Sequence, residues 1–141
     1  MSSEVHIAVI GAGVVGVAIA AELAPAGVFV FEKNRSFGLE ASSRNSEVVH
    51  AGIPYPDGSL KARLCVEGNA LLYEFCERHG VECRRLGKIF SAVEEDEMEG
   101  LERLYEQARR NGVEGVTLLS RDDIKRLEPN VRGIAGMLSP S

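Results

Sequence analysis

The chain carries no basic patch. Its 16 Lys+Arg are outnumbered by 21 Asp+Glu, a net charge of −5, and without clustered cations there is no electrostatic footprint for nucleic acid. No nucleic-acid partner is expected. Cysteine is scarce: Cys65, Cys76 and Cys83 share no metal-ligand spacing with one another or with a histidine. No metal site is expected, and an odd number without a staple pattern suits a reducing compartment. Cys65 and Cys76 are expected as buried free thiols on the apolar face of a helix. Met1-Ser2-Ser3-Glu4 has no basic n-region, so the N-terminus does not read as a secretory signal. The apolar stretch Val5–Ala24 is broken by three glycines and carries His6 and Glu22, which excludes a membrane span. There is no internal repeat and no low-complexity segment. With 45% hydrophobic and 26% charged residues, the balance is that of a soluble globular domain, and the expected location is the cytoplasm.

What the chain does have is a patterned start. Gly11-Ala12-Gly13-Val14-Val15-Gly16 follows the apolar run Val5–Ile10, and Glu32-Lys33 closes the next apolar run. Strand, glycine turn, helix, strand and terminal acid form a dinucleotide-binding βαβ pattern. Gly11 permits a tight turn, Gly13 lets the backbone approach a pyrophosphate, and Gly16 with Ala20 lets the helix lie close on the sheet. The helix N-terminus offers unpaired N–H groups and partial positive charge to phosphates. Glu32 is placed to accept from a ribose diol, and its charge would repel a 2′-phosphate, which disfavours NADP. The alternative is a glycine-rich turn in some other α/β protein.

The remaining pattern predicts a helix at Val14–Ala24, a break at Pro25-Ala26-Gly27 and a strand at Val28–Phe31. The segment Asn34–Ser59 is too long for an idle connection and is expected to work on a ligand. Leu64, Leu71, Leu72, Phe75 and Cys76 recur at helical spacing within Leu60–His79, and Gly80 stops that helix. A strand is expected at Lys88–Val93 and an amphipathic helix from about Glu95 to Arg110. Ser120 with Asp123 forms a capping-box pattern opening a short helix that Pro129 stops, and Ile134–Leu138 is a further candidate strand. The fold class is therefore α/β: a Rossmann-like βαβ unit followed by the start of an α+β segment. The boundary is expected near residues 83/84, giving domains 1–83 and 84–141. Too few parallel strands follow to complete a doubly wound sheet, so the sequence is expected to be truncated.

Chemistry-bearing side chains concentrate in Ala41–Gly52. Ser42, Ser43, Arg44, Asn45 and Ser46 supply hydroxyl, guanidinium and amide donors that could hold a pyrophosphate and a ring edge. Their alternative role is a polar loop in which Ser42 or Ser43 caps a turn. His50 could act as a general base, hydrogen-bond a flavin edge or anchor one covalently; its alternative is a structural hydrogen bond. Lys61 and Arg63 could receive a carboxylate or form a solvated helix start. Glu94-Glu95-Asp96-Glu97 reads as a solvated helix N-terminus.

These motifs carry a resemblance. Val49-His50-Ala51-Gly52-Ile53, then Gly58-Ser59-Leu60-Lys61-Ala62-Arg63-Leu64-Cys65-Val66-Glu67-Gly68, together with the fingerprint and Leu127-Glu128-Pro129, resemble the FAD-dependent L-2-hydroxyglutarate dehydrogenase/oxidase family of the D-amino-acid-oxidase-like (DAO) superfamily. Some relatives are labelled glycerol-3-phosphate dehydrogenases. The resemblance implies FAD as cofactor and domain 1–83 as the N-terminal part of an FAD-binding domain, with 84–141 beginning a substrate domain. Its cofactor contacts would come from Gly11, Gly13, Val15, Gly16, Glu32, Lys33, Ser42, Ser43, Arg44, Asn45, Ser46, Ala51 and Gly52. His50 would be the catalytic base. It further implies a 2-hydroxy acid as substrate and oxygen or a membrane quinone as acceptor, with at most peripheral contact at the inner membrane face. The alternatives are a glycerol-3-phosphate dehydrogenase, an amine-oxidising relative with flavin tethered through His50, and an inactive truncated dinucleotide-binding module. Pro54 departs from the pattern. Glycerol-phosphate enzymes have an arginine there for the phosphate, and hydroxyglutarate-type enzymes usually have tyrosine, which leaves Tyr55 as the aromatic of the pocket wall.

Overall fold

The computed structural model describes residues 7–140. Val5 and His6, expected to begin the first strand, lie outside the described residues. The chain divides into two compact units, Met1–Val48 and Val49–Ser141. This division follows packing; the expected 83/84 boundary followed element order and concerns the roles of the segments.

The first unit contains strand β1 (Ile7–Ile10), helix α1 (Val14–Leu23), a 3₁₀ turn (Ala24–Ala26) and strand β2 (Val28–Phe31). The strands are parallel, from Ile7↔Val28 to Ile10↔Phe31. Short apolar, β-branched runs form the strands, and the crossover needed between parallel strands is α1. Pro25 sits in the 3₁₀ turn, where the helix stops. Parallel strands require cover on both faces. Within this unit only α1 supplies it, so Ile10 and Phe31 remain exposed.

The second unit begins with the loop 49–59 and helix α2 (Leu60–His79). Strand β3 (Lys88–Ala92), helix α3 (Met98–Arg110), strand β4 (Thr117–Ser120), helix α4 (Arg121–Leu127) and strand β5 (Ala135–Ser139) follow. The sheet is antiparallel in the order β3-β5-β4, with Phe90↔Met137 and Leu118↔Met137 in register. Its core joins Ile53, Ala92, Leu101, Ala108, Val113 and Met137. Helix ends follow local chemistry. Ser59 Oγ accepts from Ala62 N at 3.1 Å, Gly80 closes α2 in the left-handed region, and Ser120 and Asp123 form the expected capping box at α4.

Three expectations change. The acidic run 94–97 forms a 3₁₀ turn (Glu95–Glu97) with its own capping box before α3 begins. Strand β4 was not legible, being four residues that run straight into a helix cap. On α2, the face that packs carries Ala62, Val66 and Cys76, while Leu64, Leu71, Leu72 and Phe75 are exposed. The helix has two apolar faces, and Ala62 and Val66 turn inward where Gly52 of the 49–59 loop lies against them. Cys76 is buried as expected, but Cys65 is only partly so. Among the described residues no helix is long and apolar enough to cross a membrane.

Candidate nucleotide-binding site

The glycine turn is built by steric necessity. Gly11 has φ +97°, a region closed to most L side chains, and its N–H donates to Phe31 O at 2.7 Å. The chain thus leaves β1 while still tied to β2. A Cβ on Gly16 would lie 2.0 Å from Gly11 O and 3.4 Å from Val9 Cγ1, so α1 approaches the turn as closely as glycine alone permits. A Cβ on Gly13, the N-cap of α1, would lie 3.1 Å from Ser42 Oγ. Val17 N donates to Gly13 O at 3.0 Å and begins the intrahelical series. Val14 N donates to Ser42 Oγ at 2.8 Å. That leaves the N–H groups of Val15 and Gly16 as first-turn donors at the positive end of the helix dipole.

Glu32, at the end of β2, closes the turn from the other side. Its Oε2 accepts from Ala12 N at 2.7 Å, and its Oε1 accepts from Asn34 N at 2.8 Å and Asn34 Nδ2 at 2.9 Å. The backbone N–H groups of Asn34 and Ala12 hold its carboxyl below the ordinary carboxylate value, so it is ionised at neutral pH. The Lys33 backbone N–H also favours the ionised carboxyl, so the acid is held by its own turn as well as by Ala12. The segment after β2 folds back over the turn. Gly38 N donates to Ala12 O at 2.9 Å, and Lys33 pairs with Glu40 at 2.7 Å. That pair raises the Lys33 pKa and lowers that of Glu40; both side chains are exposed, so it contributes little to stability.

A cavity of about 280 Å³ results, lined by Gly11, Gly13, Glu32, Lys33 and Ser42, with Ile10, Phe31 and Leu39 as apolar walls. The structure therefore brings five of the expected cofactor residues around one space. Val15 and Gly16 stand behind it in α1. Ser43, Arg44, Asn45 and Ser46 are exposed. Ser43 Oγ donates to Glu40 O at 3.0 Å within the 3₁₀ turn Ala41–Ser43, and Asn45 Nδ2 donates to Ser42 O at 2.8 Å. These bonds are those of the turn-capping role, and Asn45 shapes the loop that delivers Ser42. The donor set fits an adenine dinucleotide: a fixed acid for a diol, free helix N–H groups for phosphate, and apolar walls.

His50, Ala51 and Gly52 belong to the second unit. His50 is exposed and Ala51 partly buried. Gly52 is buried with φ +93°, and a Cβ there would lie 3.0 Å from Val66 Cγ2 and 3.1 Å from Ala62 O. Its glycine is thus demanded by close approach to α2. Lys61 Nζ lies 4.2 Å from the Tyr55 ring centroid, a cation–π arrangement, and Arg63 pairs with Glu67 at 3.7 Å. Sequence reading missed Gln107 and Asn111, whose side-chain amides bind the carbonyls of Gly52, Ile53 and Tyr55. The available signal was two amides four residues apart on the face that buries Ala108. It also missed Asn34, which organises Glu32.

Turn, acid and helix terminus define a Rossmann-type dinucleotide-binding unit. A family model described as FAD dependent oxidoreductase (DAO) matches residues 6–141, and the chain belongs to that family. It is 41% identical over 143 residues to the mitochondrial L-2-hydroxyglutarate dehydrogenase of Pongo abelii, covering 99% of this chain and 34% of that protein. It is 44% identical over 139 residues to that of Arabidopsis thaliana, covering 97% and 29%. Among solved structures, FAD-bound L-alpha-glycerophosphate oxidase from Mycoplasma pneumoniae superposes with a TM-score of 0.81 at 28% identity, covering 94% of this chain and 36% of that one. Glycine oxidase from Geobacillus kaustophilus gives 0.74 at 30% identity, covering 95% and 38%. The mixed helix-and-strand fold is that of these FAD enzymes. The chain spans about a third of the length of the curated relatives it matches.

Proposed function

We propose that the protein acts as an FAD-dependent oxidoreductase on a small 2-hydroxy acid, L-2-hydroxyglutarate by preference. Residues 1–83 serve the cofactor and 84–141 begin the substrate side. Glu32 holds the adenosine ribose through its ionised carboxylate. The N–H groups of Val15 and Gly16 take the pyrophosphate, across a turn that Gly11 and Gly13 keep low. Lys33, Ser42, Ser43, Arg44, Asn45, Ser46, Ala51 and Gly52 supply the remaining cofactor contacts. Bound FAD supplies an acceptor for the hydride of the substrate carbinol. His50 takes the hydroxyl proton from that carbinol, its exposed imidazole being the protein's group for that step. Oxygen or a quinone receives the electrons. The quinone route would put the protein at the inner face of the membrane, and the oxygen route leaves it in the cytoplasm; the two L-2-hydroxyglutarate dehydrogenases named above are mitochondrial by name.

The cofactor part rests on one observation, the Glu32 carboxylate tied to Ala12 on the wall of the cavity. The substrate part is supported by identity of about two residues in five to L-2-hydroxyglutarate dehydrogenases over nearly the whole chain. A second reading, oxidation of glycerol 3-phosphate, draws support from the glycerophosphate oxidase neighbour. Pro54, which has no N–H and no side-chain donor for a phosphate, weighs against it. An absorbance spectrum of the purified protein tests both. A flavin band bleached anaerobically by L-2-hydroxyglutarate and not by glycerol 3-phosphate is expected. The opposite selectivity transfers the case to the second reading, a band that neither bleaches marks a binding module, and no band after incubation with FAD overturns the cofactor assignment.

A further inference from the structure

We infer that Gln107 of α3 and Asn111, the C-cap of that helix, are positioning residues that set the geometry of the segment carrying His50 and Tyr55. The inference rests on reading His50 as the base. Gln107 Nε2 donates to Tyr55 O at 2.6 Å, with Ile53 O at 3.4 Å. Asn111 Nδ2 donates to Gly52 O and Tyr55 O, each at 2.9 Å, with Ile53 O at 3.5 Å. An amide nitrogen has two hydrogens, so both of Asn111's are committed to the loop. The direction of these bonds is chemically forced. Carbonyls only accept, and a reversed amide would set oxygen against three oxygens.

The clamp has a second jaw. Gly52 is pressed on α2, where the Cβ position is closed by Val66 and Ala62, and Ile53 is 3% exposed in the core. Residues 52–55 are thus gripped between α2 and α3. Lys61 stacks on the Tyr55 ring, and Arg110, one residue before Asn111, pairs with Asp57 at 3.6 Å. The anchored backbone thus begins two residues after His50, whose side chain is exposed. The two amides fix three carbonyls by donation, so any side chain of similar reach that keeps a donor should serve. A backbone held in advance spares the ordering cost when substrate arrives.

The test compares Gln107→Met, which keeps the length and removes the donor, with Gln107→Lys, which restores a donor. The first readout needs no turnover: the imidazole C–H resonances of His50 by NMR, with His79 as internal control, and amide exchange at Gly52, Ile53 and Tyr55. In Gln107→Met the His50 signal moves and exchange quickens while His79 stays; Gln107→Lys recovers both. The second readout is turnover of 2-hydroxy acid by the flavin-loaded protein, where kcat falls roughly ten- to a hundredfold with KM little changed. An unmoved His50 signal and unchanged exchange in Gln107→Met overturn the inference, even where thermal stability drops. If His50 responds but the parent protein oxidises no 2-hydroxy acid, the proposed function fails and the clamp stands. Should Gln107→Met not fold, Asn111→Ser, a shorter donor, is judged by the same readouts.

Discussion

Replacing Gly16 with alanine is the sharpest test of how the cofactor cradle is built. The added Cβ would lie 2.0 Å from Gly11 O and 3.1 Å from Gly11 C. Both are backbone atoms, so no side chain can swing aside. To reach the 3.0 Å below which real Cβ contacts are essentially never found, α1 must retreat by about 1 Å. Overpacking of this kind costs about 1–3 kcal/mol, and rigid neighbours put it at the upper end. Alanine's better helix propensity returns roughly 1 kcal/mol, leaving a net loss of about 2 kcal/mol. Gly68→Ala, inside α2, is the matched control: its Cβ meets nothing within 4 Å, so only the propensity gain of about 0.5–1 kcal/mol remains. Denaturant melts of the two variants should therefore shift in opposite directions. The moved helix also carries the Val15 and Gly16 N–H groups away from the turn, so Gly16→Ala should lose flavin on desalting while Gly68→Ala retains it. Equal or greater stability of Gly16→Ala relative to the parent would refute the reasoning, because the close approach would then not be real.

Two further outcomes follow from the same cradle. Glu32 has a folded-state pKa below its ordinary 4.5, so the native state favours its ionised form. Its contribution is complete above about pH 4.5 and fades as pH falls through the lower folded value. Denaturant midpoints of the parent and Glu32→Gln should differ by a constant amount near neutrality and converge in acid; a gap that widens in acid would contradict the linkage. Ser42→Ala removes the acceptor for Val14 N–H, a cap-like bond worth about 0.5–2 kcal/mol. Arg44→Ala, at an exposed position, should leave the unfolding midpoint within about 0.5 kcal/mol of the parent, and the reverse ranking by thermal melting would count against the cradle.

Local chemistry was legible along the chain. Helix α2 spans the expected Leu60–His79, β2 the expected Val28–Phe31, and the Ser120–Asp123 box opens α4. In each, the deciding interactions lie within a few residues: apolar period, a hydroxyl cap, a glycine stop. The glycine turn was legible for the same reason, since the close approach of Gly16 to Gly11 spans five residues, although its ties to Phe31 and Glu32 do not. Packing was not legible. Leu64, Leu71, Leu72 and Phe75 make the more conspicuous stripe on α2, yet the helix buries Ala62 and Cys76, Ala62 because a loop backbone at Gly52 lies against it.

Sequence by itself determined the order of strand, turn and helix, the acid at the tip of β2 and the residue types able to meet a dinucleotide, since short-range sterics and hydrogen bonding dictate these. Tertiary structure alone decided that Glu32 spends three of its acceptor sites on Ala12 and Asn34, and that Ser42 reaches the start of α1. It also decided that amides from α3 and its C-cap grip the loop following His50. Those contacts join residues 20 to 59 positions apart, apart from the local bonds of Asn34. Nothing in a local pattern records which distant donor a buried carbonyl or carboxylate finds once the chain has closed on itself.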